Sequence, residues 1–170
     1  MLRALAMLGL LLLAAAAAGA EELDALDAEN GFRDAHFGAP VESFEGLELI
    51  SANGAGGTRV YVRPDDELLL GEARLDGITY GFYEGRLYFV ALLTSGGGNA
   101  RAALTALQSA YGPGLRLEGP AEEFLWQGRR VALHFRRDPV TAMGMIGLTS
   151  LPIDAEVKQA RASLPARAAP

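Results

Sequence analysis

The stretch Ile78 to Leu93 constrains the fold more than any other part of the chain. Ile78-Thr79-Tyr80-Gly81-Phe82-Tyr83 and Arg86-Leu87-Tyr88-Phe89-Val90-Ala91-Leu92-Leu93 are dense in β-branched and aromatic residues, which suit a pleated, half-buried surface. Only Glu84-Gly85 separates them. A two-residue connection whose glycine accepts positive φ closes an antiparallel hairpin, whereas a parallel pair needs a crossover of about a dozen residues. The sheet built on this hairpin is therefore antiparallel.

Other strands read the same way. Arg59 to Arg63 alternates and is stopped by Pro64-Asp65-Asp66, and Leu68 to Leu75 reads as a short strand bulged at Gly71. Glu123 to Gln127 and Arg130 to Arg137 flank a turn at Gly128-Arg129, and Thr141 to Ser150 is the last strand. Ser51 to Thr58, with Gly54, Gly56 and Gly57, reads as a loop.

One helix stands out. Asn99 is a suitable cap, Ala100, Ala103, Leu104, Leu107, Ala110 and Tyr111 form one apolar stripe, and Gly112-Pro113 ends it. Pro40 opens a short helix through Glu45, and Asp154 to Ser163 has the makings of a terminal one. Strands joined by tight turns, with helices outside their order, give an α+β fold rather than a doubly wound one. The expected architecture is an antiparallel sheet of five to six strands, with one main helix on one face and short N- and C-terminal helices.

The first twenty residues have a different purpose. Arg3 is the sole charge before Glu21, Ala4 to Ala18 is uncharged, and Ala18-Gly19-Ala20 offers two small side chains one residue apart. This is the layout of a secretory signal peptide cut after Ala20, with Ala18 as second choice. The apolar run is short and alanine-rich for a retained membrane anchor. Residues 21–30 are an acidic lead-in, 31–153 one domain, and 154–170 a terminal helix with a disordered tail. The expected product is released to the periplasm or beyond, without stable membrane insertion.

The chain has no cysteine, which removes lipid anchoring at a cut-site cysteine, thiol chemistry and cysteine-based zinc sites. Its net charge of −6 disfavours nucleic acid as a partner. The acids are concentrated: Glu21 to Glu48 holds nine against Arg33 alone, while Arg129, Arg130, Arg136 and Arg137 lie together later.

The segments Gly31-Phe32-Arg33, Phe37-Gly38-Ala39-Pro40, Tyr61-Val62-Arg63-Pro64-Asp65-Asp66, Ile78 to Tyr88 and Tyr111-Gly112-Pro113 give the chain a likeness to a known group. From about Gly31 to Leu148 it resembles a family of small bacterial exported proteins with no known activity. The resemblance implies a fold and an exported setting, and it supplies no site residues.

Enzyme chemistry finds little to work with. His36 and His134 are the only histidines, too few for a zinc centre of about three side-chain ligands. Asp65-Asp66-Glu67 lacks the alternating ligands of a calcium loop and reads as a solvated turn. No serine stands in a Gly-x-Ser-x-Gly elbow, and Gly96-Gly97-Gly98-Asn99 lacks the lysine of a phosphate loop. Glu122-Glu123, Asp76 and Glu84 could serve a glycosidase, but no spacing pairs them. No metal, cofactor or catalytic residue is expected.

Strand alternation points to a surface instead. Val131, Leu133 and Phe135 fall on one face and Arg130, His134 and Arg136 on the other. With Tyr83 and Trp126, these three are expected to form an aromatic and basic patch on an open sheet face, a composition that interfaces concentrate. The reading is a binding domain for an envelope protein or a small ligand. A small secreted hydrolase with a carboxylate site, or a purely structural envelope protein, are the alternatives.

Overall fold

The computed structural model describes residues 24–54 and 57–163. The expected signal segment, with the cut expected after Ala20 or Ala18, and the tail from 164 lie outside the described residues. Twelve strands are present among the described residues: β1 (Gly31–Phe32), β2 (Ala35–His36), β3 (Glu48–Gly54), β4 (Thr58–Val62), β5 (Leu69–Leu70), β6 (Ala73–Arg74), β7 (Gly77–Tyr83), β8 (Arg86–Thr94), β9 (Leu115–Leu117), β10 (Glu122–Gln127), β11 (Val131–Arg137) and β12 (Gly144–Ser150). Two helices complete the set, α1 (Gly97–Tyr111) and α2 (Leu151–Ala162). Residues 24–29 are also helical, and Val41–Ser43 forms one 3₁₀ turn.

The β7–β8 hairpin forms as its residues require. Glu84 and Gly85 both take positive φ, 49° and 74°, the pair of conformations that matches a two-residue turn to twisted strands. β7 and β8 become the centre of an eight-stranded antiparallel sheet in the order β3-β4-β7-β8-β12-β11-β10-β9. The sheet therefore has eight strands rather than five to six. The additional strands are its edges. β9 is three residues between glycines and prolines, and β3 runs into the glycine-rich stretch expected to be a loop. An edge strand needs only one row of main-chain bonds, so it can form without an alternating pattern.

Helix α1 explains the strand order. It leaves β8 in mid-sheet and delivers the chain to β9 at the far edge, from which β10, β11 and β12 return to pair with β8. Its 15 residues span about 22 Å at 1.5 Å each, close to the roughly 19 Å of four strand spacings. Ala100, Ala103, Leu104, Leu107 and Tyr111 are buried against Leu92, Leu133, Phe135, Ile146 and Leu148 of the sheet core. Ala110 is exposed. The helix begins at Gly97, and Asn99 does not cap it: its amide accepts from Arg74 N and donates to Ser95 O, fastening β6 to α1.

The segment 24–29 packs on this same layer. Leu26 is fully buried in the main core. Asp27 reaches the β10–β11 turn, where its carboxylate accepts from the backbone N–H groups of Arg129 (2.7 Å), Arg130 (2.8 Å) and Val131 (3.0 Å). A side chain at Gly128 would stand 2.3 Å from Asp27 Oδ1, so only glycine admits the carboxylate here. Burial pushes the Asp27 pKa up, but the bonds from Arg130, Arg129 and Val131 and the Arg129 charge outweigh it, leaving the group below the ordinary aspartate value.

The opposite face is covered differently. Helix α2 follows β12 without a loop, opening at Leu151 rather than Asp154, and buries Ile153 and Val157 on Tyr83 and Tyr88. Arg86 and Glu156 pair beside it at 2.6 Å. Among the described residues no helix is long and apolar enough to cross a membrane.

Candidate functional site

Cross-strand register decides where the expected patch residues lie. Trp126 stands opposite Leu133 and Phe124 opposite Phe135, so both face α1. Trp126 is 1% exposed and its Nε1 donates to Gly112 O at 2.8 Å. It is a core residue and not part of the open face. The turn that sets this register is held by Asp27 from a hundred residues away, a constraint that local alternation does not contain. Arg130 is not on the sheet face either: it belongs to the β10–β11 turn, with its backbone N–H on Asp27 and its side chain exposed. Tyr83 does point away from α1, but α2 buries it with Tyr88 at a ring separation of 6.5 Å.

His134 and Arg136 remain together on the face turned away from α1. His134 is half-buried beside Leu125 of β10 and opposite Gly147 of β12. Arg136 lies across from Glu123 and pairs with it at 3.0 Å. The same face carries Leu93, Met145 and, at the edge, Leu115; Met145 and Leu115 are 51% and 63% exposed.

Two other concavities contain polar groups the sequence reading did not bring together. A groove of about 530 Å³ is lined by Glu29, Phe32, Arg33, His36, Leu69 and Tyr111, among others. Its polar groups are largely engaged internally. The Tyr111 hydroxyl donates to the Glu29 carboxylate, and burial with this bond pushes the phenol well above its usual range. Arg33 donates to the carbonyls of Glu67 and Leu69, and His36 Nδ1 lies 3.1 Å from Glu29 O.

The second, of about 460 Å³, adjoins Asp34 and Arg63. Arg63 grips Asp34 through both terminal nitrogens, at 2.8 and 2.9 Å, and Asp66 through Nε at 2.7 Å. The Tyr80 hydroxyl donates to the other Asp66 oxygen at 2.7 Å. Asp66, expected in a solvated turn, has a side chain only 6% exposed. The bond to Asp34, with those to Tyr80 and Asp66, holds Arg63 firmly protonated despite its partial burial. This cluster pins the β1–β2 hairpin to the sheet, and its partners satisfy one another. Among the described residues no group of three or more His, Cys, Asp and Glu side chains is placed to hold a metal.

No family model matches the chain, and no curated protein matches it. Among solved structures it is similar to the crystal structure of a DUF4309 family protein (YjgB) from Bacillus subtilis, at 14% identity and a TM-score of 0.30. The alignment covers 62% of this chain and 65% of that one, less than two thirds of its length. A likeness this remote carries no argument about function.

Proposed function

We propose that the chain is an exported, non-enzymatic binding domain of the bacterial cell envelope that meets a partner protein over the bare part of its sheet. The observation that carries this reading is the unequal cover of the two sheet faces. Eight strands about 4.8 Å apart span roughly 34 Å, and a helix with its side chains covers about 10 Å. Among the described residues, α2 is the helix packed on the face away from α1, at the Tyr83–Tyr88 end. Leu93, Leu125, His134, Arg136 and Met145 are left half-buried or exposed, a mixture of apolar surface and arginine found in interface cores. The signal-like composition of residues 1–20 supports the exported setting.

The hydrolase alternative has no comparable support. Glu122 and Glu123 are paired with Arg137 and Arg136, Asp76 accepts from Ser95 at 2.6 Å, and Glu84 lies 3.7 Å from Arg86.

A photo-crosslinking side chain at Leu125, compared with one at exposed Glu72 on the remote β5–β6 turn, tests the proposal in the native host. The expected result is a discrete envelope-protein adduct from position 125 only, on a product whose N terminus is Glu21. Equal adducts from both positions, none from 125, or retention in the cytoplasm overturns it.

A further inference from the structure

Met143 and Met145 are the two methionines among the described residues, and they are 42% and 51% exposed. Both line one cleft of about 230 Å³, together with Leu93, Arg136, Asp138 and Thr141. Met145 is held by its ladder positions opposite Arg136 and Leu93. Met143 is held by the loop before β12. Asp138 Oδ1 accepts from Val140 N, Thr141 N and Thr141 Oγ1 at 2.9, 2.7 and 3.0 Å, and Asp138 N donates to Met143 O at 2.9 Å. Between them Ala142 takes a φ of 57°, a left-handed conformation that costs a non-glycine residue roughly 1 kcal/mol. The loop bears this cost while presenting a flexible apolar side chain to water instead of the core.

We propose that Met143 and Met145 form a binding site for one soft monovalent cation, Cu(I) or its surrogate Ag(I), through their two thioether sulfurs. Thioethers are soft, neutral donors that favour such ions over zinc, calcium or magnesium, and two donors suffice for the linear coordination that d¹⁰ monovalent ions accept. The shortage of histidine and carboxylate clusters that argues against zinc and calcium therefore does not bear on this site. The Arg136 guanidinium that lines the cleft is paired with Glu123, so its charge is offset beside the sulfurs. The chain's net −6 attracts cations at long range.

The test uses the full chain labelled at its methionine methyl groups and titrated with Ag(I). Met143→Leu and Met145→Leu variants assign the signals, and Met1 and Met7 are the in-chain controls. The expected result is that both cleft signals shift together and saturate at about one equivalent, before those of Met1 and Met7 move. A Met143→Leu/Met145→Leu chain with unchanged far-UV dichroism should bind at least about tenfold more weakly, leucine preserving the apolar volume. Cu(I) under reducing conditions, in competition with a chromophoric chelator, should show the same loss. The affinity should not change between about pH 5 and 7.5, because thioethers release no proton on binding. All four methionines responding at one concentration, a single cleft signal shifting alone, or undiminished binding by the double leucine variant overturns the proposal.

Discussion

Asp27 does for the N-terminal segment what a disulfide does in other small domains. One carboxylate satisfies three backbone donors of a turn more than a hundred residues away, at a position where only glycine leaves it room. Hydrogen bonds to a charged group contribute about 1.5–3 kcal/mol, so Asp27→Asn, which leaves one acceptor oxygen where two worked, should cost about 2 kcal/mol at pH 7 in urea unfolding. The folded pKa lies below the ordinary aspartate value. Its contribution is therefore complete above the unfolded pKa near 4 and is lost as pH falls through the folded pKa. The gap between Asp27→Asn and the native chain should narrow below about pH 3.5 and stay constant from pH 6 to 8. Nothing near Asp27 in the sequence announces this role, because its partners are main-chain groups and the spacing is long. The same distance hid the placement of Trp126. Its strand was legible, but its face depends on the register fixed by that latched turn. His134 and Arg136 were legible because Leu133 and Phe135 on the same strand settle their side by simple alternation.

Among the elements, the β7–β8 hairpin and α1 could be read closely from their residues, since each carries its own turn or stripe. The edge strands β3 and β9 could not, because pairing on one side asks little of their side chains. Helix α2 could be located but not docked. Its two buried residues, Ile153 and Val157, stand one turn apart and fit the pair Tyr83 and Tyr88, a match visible only once the sheet is assembled. Val157 is fully buried, and an aspartate there would bury an unpaired charge. Val157→Asp should release α2 while leaving the main core intact. Far-UV dichroism is expected to lose helix signal and the tyrosines to become quenchable. The emission of Trp126, the one tryptophan and a member of the other core, should keep its buried wavelength. A red-shifted Trp126 would mean that the two faces unfold as one unit.

At the scale of the molecule, the sheet is a gradient from protected centre to open edge. β8, β12 and β11 are paired on both sides, whereas β3 and β9 have one neighbour each. Amide exchange should follow this order. Protons of Val90, Leu92, Leu133, Ile146 and Leu148 are expected to exchange only with global unfolding, while those of 48–52 and 115–117 exchange by local opening many times faster. Uniform protection across the eight strands would contradict it.

Strand β12 has a consequence for the order in which the molecule comes into being. It lies between β8 and β11, yet it is the last strand in chain order among the described residues. A chain still emerging from the ribosome, and ending before Gly144, holds two half-sheets with a gap where their common neighbour belongs. No nearly finished intermediate can close that gap from the chain already made. The native eight-stranded sheet therefore cannot be completed until Gly144–Ser150 has been made. For the exported chain proposed above, which would be threaded across a membrane before folding, the position of this single strand supplies a useful delay.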